Sequence, residues 1–540
     1  MCSRIPVYIL FIAAIVAGAP GCERTADSSN LQGMAAEPIV LRRGNGGDPE
    51  TLDPAFAEDI HAFRVLTDLY EGLVTGDAAG NVIPGIAHAW EISDDRLTYT
   101  FHLRPNITWS DGEPLSADDI VAGLRRSLRP GSGSAYSFLL HPIRNASAVE
   151  RGDVPLHALG IAAPDAATVT IELAFPTPHF LAVLAMPVAF PVRNGESATA
   201  AQFSDPAQFV GNGAFVLDSW QPGHRIRLRK NELFREADQV HVDFVEYYAV
   251  QDLLAELNMY RAGELDVTAS VPGANVNDLR EDRPAELRIS PKLGTYYLAF
   301  DLSEAPFDDL ALRKALSMAI DRRALAEVIG RGEQPAYGFI PDGVAAYEPA
   351  RYGWATLSDD ERQQQARRTF AASRHASDQP LQLTLTYDAG DIHEKVALAV
   401  SGMWRDVLGI ETELDKREWK YFLETRDRRD EWQIMRFAWS GDYNDAGTFA
   451  DILLSSSPQN LPGYDNELYD DLLDKALREP DPAERARLMS AAEATMLGDY
   501  PIAPLYFYVS KHLVSPGVQG FENNVLDQHP SRYLRKSGGG

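Results

Sequence analysis

Residues 305–321 read A-P-F-D-D-L-A-L-R-K-A-L-S-M-A-I-D. Leu312, Ala315, Leu316, Ala319 and Ile320 fall at i, i+3, i+4, i+7 and i+8, so they share one face of a helix. Asp308 and Asp309 just upstream are expected to cap a helix or face solvent. Outside this stretch the period changes. Leu97, Tyr99, Phe101 and Leu103 alternate with Thr98, Thr100, His102 and Arg104. Leu381, Leu383, Leu385 and Tyr387 alternate with Gln382, Thr384 and Thr386. Period two predicts half-buried strands. A second helix start is marked at Asp481 as N-cap, with Pro482 in the first turn and Glu484 completing a capping box. Strands mixed with helices throughout predict an α/β or α+β architecture.

The chain has 540 residues, too many for one ordinary core, so two or three domains are expected. Breaks fall at residues 76–81, 129–134, 209–215 and 455–463, all rich in Gly, Pro, Ser or Asn. The formal charge is −28, which repels phosphates and argues against a nucleic-acid partner. Both cysteines, Cys2 and Cys22, precede the body of the chain, so a disulfide framework, a cysteine zinc site and a thiol nucleophile are excluded there.

Arg4, the apolar run Ile5 to Val16 and then A-G-A-P-G-C read as a secretory signal over 1–21. A cysteine straight after small residues resembles a bacterial lipobox, which makes Cys22 the lipidated first residue of the mature chain. Ala19 and Pro20 depart from the usual pattern, and cleavage without lipid is the alternative. Residues 22–37 are small and polar and read as a flexible tether. No later stretch is long and apolar enough to span a bilayer.

Catalytic patterns are incomplete. His393-Glu394 opens an H-E-x-x-H pattern, but position 397 is Ala. Gly211-Asn212-Gly213 lacks the spacing of a phosphate loop, and 131–134 is not a nucleophile elbow. The twelve histidines show no ligand spacing along the chain, so neither a metal nor a cofactor is expected. R-F-A-W-S-G-D-Y (436–443) raises a different question. Asp442 sits among aromatic and small residues that half desolvate it, which is costly unless a cation meets it. The alternatives are a ligand cation and a cap on its own loop.

The order of motifs is distinctive: L-R-R-G-N-G-G-D-P-E-T-L-D-P (41–54), D-L-Y-E-G-L (68–73), I-P-G-I-A-H-A-W (83–90), I-T-W-S-D-G-E-P-L-S-A-D-D (107–119), F-V-G-N-G-A-F (209–215) and the 305–321 stretch. Together they resemble the extracellular solute-binding proteins of ABC importers, family 5, in the group that binds oligopeptides, dipeptides, nickel chelates and some sugars. Ile392-His393-Glu394-Lys395, R-E-W-K-Y-F-L-E-T-R (417–426), R-F-A-W-S-G-D-Y and A-F-A-E-D (55–59) match its oligopeptide-binding members. The resemblance implies a periplasmic-binding-protein-like bilobal α/β fold, with two mixed-sheet lobes, an extra domain and a hinge of two crossing strands. Lobe I is expected over 38–70, 196–297 and 508–540, the additional domain over 71–195, and lobe II over 298–507.

The same resemblance implies a binding subunit without enzymatic activity, a monomer anchored at Cys22 on the outer face of the envelope or in the periplasm, passing peptides to a permease and its ATPase subunits. It implies that Asp442 receives the ligand's α-amino group, and that Arg436, Arg426 and His393 meet carboxylates, with His393 most effective when protonated. Glu58 would face the ligand, and Trp419, Trp439, Tyr296 and Tyr506 would wall its pockets. Arg426 reads equally as part of a solvated turn at 426–430, and Tyr296 and Tyr506 equally as core. Trp109 reads as a packing residue. Ser440 stands where the family's oligopeptide binder has Cys. The alternatives are another solute (murein peptide, opine, sugar or nickel chelate) in the same fold, and an envelope peptide hydrolase.

Overall fold

The computed structural model describes residues 37–376, 380–426, 428 and 432–537, so the signal segment, Cys22 and nearly all of the tether lie outside the described residues. The opening stretch folds as its period requires. Leu310–Ala319 is a helix, and Asp309 caps it by accepting from the Ala311 N–H at 2.9 Å. Leu312, Ala315, Leu316, Ala319 and Ile320 are all buried. The helix stops at Ala319 because Asp321 caps a second helix, Arg322–Ile329, accepting from two backbone N–H groups. Ile320 therefore packs from the junction between the two. The expected capping box at Pro482–Asp499 is corrected. Asp481 caps the helix, but the Glu484 carboxylate turns to Arg487 one turn on, and the Asp481 N–H goes to Glu479.

Three sheets organise the chain. Val40–Gly44, Phe244–Tyr248, Arg225–Lys230 and Phe215–Gln221 lie side by side, with a parallel first pair and antiparallel neighbours after it. A four-stranded antiparallel sheet spans residues 87–172 and includes Thr98–Leu103, whose Tyr99, Phe101 and Leu103 point inward. These two sheets share one apolar core, in which Trp109 is fully buried. The third sheet has six strands, in the order 334–335, 502–513, 287–300, 434–440, 382–388, 411–417, and it too mixes parallel and antiparallel pairs. It carries a separate core.

Two long strands connect the cores. Leu287–Phe300 and Ile502–Leu513 pair antiparallel from Leu287 opposite Leu513 to Ala299 opposite Ile502. Leu513 packs in a small cluster with Leu257 and Leu279, while Leu298 and Leu505 pack in the core of the six-stranded sheet. The chain is thus two α/β bodies joined by crossing strands.

The first body is stitched from distant segments. Glu71 is 2 % exposed and receives Arg235 at 2.9 Å on both oxygens and Arg532 at 2.8 Å. Gly213 makes a further stitch. A Cβ there would lie 2.4 Å from the Asp68 carbonyl oxygen, so only glycine allows this approach.

Candidate functional site

Asp442 follows the strand Ile434–Ser440, and the loop after it is fixed on both sides. Asn444 accepts from the Ala345 N–H at 2.9 Å. Asp445 receives Arg485 through two contacts of 2.8 Å and accepts from the Gly447 N–H at 2.8 Å. Tyr443 stacks on His179 at 4.3 Å, interplanar angle 10°. The loop-capping role therefore belongs to Asp445. Asp442 itself is half-buried and makes no hydrogen bond or ion pair among the described residues. Burial alone raises its pKa. A carboxylate held in a fixed loop, partly desolvated and with no protein cation among the described residues, can accept an outside cation.

Asp442 lines a cavity with residues of the first body, Thr67, Tyr70 and Thr75, and with Leu526 and Gln528 of the C-terminal segment. Tyr136 links it to Glu58. After the dominant effect of burial, both carboxylates add to the rise in the Tyr136 pKa. Glu58, exposed, and Asp442 thus share one neighbourhood although 384 positions separate them (442 − 58). Trp439, half-buried, donates to Thr448 Oγ1 at 3.4 Å. Trp419 is 53 % exposed and stacks on Phe422 at 5.9 Å.

The residues expected at the far end form a second group. Arg436 contacts one oxygen of Asp388 through Nε and a terminal nitrogen, and its guanidinium lies 5.7 Å from the Tyr296 ring and 5.3 Å from Phe422. His393 Nε2 lies 3.7 Å from the other Asp388 oxygen, and Nδ1 is 3.3 Å from the Tyr296 hydroxyl. Burial, with Arg436 and Arg331 nearby, pushes the His393 pKa down to about 4. At neutral pH His393 thus offers hydrogen bonds rather than charge. Tyr296 and Tyr506 are corrected. They are 0 % and 2 % exposed and stack on each other at 4.7 Å, so they are core beneath Arg436 rather than open walls. Arg426 ends the helix Trp419–Arg426, half-buried and engaged in a contact of its own.

Sequence reasoning missed two features. Asp388 has no local pattern that ties it to Arg436. His512, Asp527 and His529 place ligating atoms within 4.8 Å of one another. His512 contacts Asp527 Oδ1 at 2.6 Å, while Arg64 at 3.8 Å and Lys292 at 3.6 Å face Oδ2. Two cations on one carboxylate make this a buried ion network at the crossing strands, and the field there opposes a divalent ion.

The family model for bacterial extracellular solute-binding proteins, family 5, matches residues 81–460. The periplasmic murein peptide-binding protein of Escherichia coli is 34% identical over 505 residues, covering 93% of this chain and 94% of that protein. A probable deoxycholate-binding periplasmic protein of Escherichia coli is 35% identical over 521 residues, covering 95% and 96%. The periplasmic oligopeptide-binding protein of Salmonella typhimurium is 34% identical over 494 residues, covering 90% of each. The solved unliganded open form of the murein tripeptide-binding protein matches with a TM-score of 0.88, covering 93% of this chain and 98% of that one. A second structure of the same relative, from Escherichia coli, gives 0.71 over 93% and 99% at equal identity. The likeness to the unliganded open form is thus greater than the likeness to the second structure of the same relative.

Proposed function

Because the chain belongs to the bacterial extracellular solute-binding proteins of family 5, we propose that it captures short peptides between its two bodies and delivers them to the permease of an ABC importer. The observation that carries this is Asp442, a fixed, half-buried carboxylate with no protein cation among the described residues. A peptide's α-ammonium group completes it with a charge-assisted hydrogen bond. Closure by a hinge at the crossing strands encloses the pair and lowers the local dielectric around it. Glu58 faces the same space, and Trp439 and Trp419 flank the peptide. Waters in loose pockets satisfy varied side chains, which permits low sequence selectivity. The far end of the ligand lies toward Arg426 and the Arg436–His393 group. No chemistry on the peptide is proposed; the protein acts as a binding subunit.

Relatives of nearly equal identity are named for murein peptide, deoxycholate and oligopeptide, so overall identity does not choose among them. The charge at Asp442 argues against the bile acid and does not separate the two kinds of peptide. A bile acid brings a carboxylate and no ammonium group, and would leave Asp442 unpaired at a desolvation cost. Native mass spectrometry of protein taken from cells without denaturation should find bound peptides with free α-amino groups. A bile acid, or peptides with blocked amino termini, would overturn the proposal.

We propose further that Cys22 carries a lipid anchor that holds the protein at the outer face of the envelope. Growth with an alkyne-tagged fatty acid should label the wild type and not Cys22→Ser, and the variant should leave the membrane fraction. An unlabelled wild type would mean cleavage without lipid.

A further inference from the structure

The far end of the site has an unexpected charge balance. Arg436, the residue best placed to meet a ligand carboxylate, already holds a carboxylate of the protein. Asp388 ends the strand Gln382–Asp388, and Arg436 stands in the strand Ile434–Ser440 of the same sheet. Two guanidinium nitrogens close on Asp388 Oδ1. The side chains are 9% and 11% exposed, so water screens the pair little. Oδ2 faces His393 Nε2 at 3.7 Å, and His393, with its pKa near 4, is uncharged at neutral pH. Aromatic rings floor the group: Arg436 lies over Tyr296, which stacks on Tyr506. The group sums to zero charge: one anion, one cation and one neutral imidazole.

A ligand carboxylate entering here would have to displace Asp388 from Arg436 or share the guanidinium with it. Displacement exchanges one ion pair for another and leaves Asp388 buried without a partner. Sharing places two carboxylates on one cation, and like charges at that range repel. Arg331, which is exposed, is also felt by His393.

We propose that Asp388 is a specificity-determining residue: by occupying Arg436 it turns the Arg436–His393 group neutral. The site then selects peptides that present an uncharged group there, such as an amide or a lactam, over peptides that present a terminal carboxylate. This rests on the peptide-binding proposal and sharpens it. Recognition is asymmetric, with charge at the Asp442 end and hydrogen bonds at the Arg436 end.

The two ends are six positions apart (442 − 436), at most about 20 Å along the chain. A series of Ala/Ser peptides with free α-amines and extended lengths up to about that span tests the proposal. Each peptide is made as the C-terminal acid and as the C-terminal amide, and titrated by calorimetry into wild type and Asp388→Asn. The wild type should bind the amide at least as tightly as the acid at every length. Asp388→Asn keeps the shape and frees the guanidinium. At the length that reaches Arg436 it should raise affinity for the acid by at least about tenfold over the amide, the size of one charge-assisted hydrogen bond. Unchanged amide binding reports that the variant is folded. A wild type that prefers the acid by a similar factor, or a ratio that Asp388→Asn leaves untouched, overturns the proposal while peptide binding stands. No binding of either form by either protein would instead overturn the peptide reading, and this inference with it.

Discussion

Glu71→Ala should destabilise the ligand-free protein by about 3 kcal/mol, the scale for removing one partner of a buried ion pair. Glu71 is nearly inaccessible and faces two guanidiniums from segments far along the chain, Arg235 and Arg532. Alanine leaves both positive. Arg235 keeps Glu236, while Arg532 keeps neutral partners, the Thr75 hydroxyl, the Gly76 carbonyl and the Tyr533 and Phe234 rings, so the loss falls mainly on Arg532. Chemical denaturation should show a lower midpoint for the variant. The double variant Glu71→Ala/Arg532→Leu should recover part of the loss, because the stranded charge goes with the arginine. A single variant within about 0.5 kcal/mol of wild type would mean that the pair contributes no more than a surface bridge.

Glu71 also shows where sequence reading stops. Its motif, D-L-Y-E-G-L, is visible as a pattern, but nothing near it points to residues 235 and 532. Periodic features are legible because local sterics set them. The helix face from Leu312 to Ile320 and the alternation at Leu383, Leu385 and Tyr387 each end up buried as their spacing requires. Local competition defeats finer detail: Glu484 has Arg487 within one helical turn and takes it in place of the capping bond. At the site, Asp442 is legible because the acid stands among aromatic and small residues in the sequence itself. Asp388 is not, since its partner Arg436 lies 48 positions away and meets it only after the sheet forms. Tyr296 and Tyr506 are 210 positions apart (506 − 296), and their stacking depends on the register of the two crossing strands. Amphipathic rings leave open whether they will face a ligand or a core, and here the register decides for the core.

Asp442→Asn should weaken binding of free-amine peptides by about 2–3 kcal/mol, roughly 30- to 150-fold, and leave the fold intact. The two effects separate because Asp442 makes no hydrogen bond or ion pair among the described residues. Its pKa is raised by burial, so the folded form holds its proton more firmly than the unfolded chain does. The unfolded chain gives up that proton first as pH rises, and this group's contribution to stability falls through that window. At neutral pH the carboxylate is therefore a net cost to the ligand-free fold, and Asn should raise the melting temperature slightly or leave it unchanged. Ligand reverses the sign. An ammonium group stabilises the ionised carboxylate and pulls its pKa down, so binding releases whatever proton Asp442 still carries. Affinity for free-amine peptides should then fall as pH drops through the raised pKa of the ligand-free protein, while Asp442→Asn should bind weakly with little slope over the same range. N-acetylated peptide should bind the variant at least as tightly as the wild type, since only the wild type then encloses an unpaired carboxylate. Calorimetry over a pH series, with both peptides and both proteins, measures every arm. A variant that keeps wild-type affinity for the free-amine peptide, or a wild type indifferent to acetylation, would remove Asp442 from recognition.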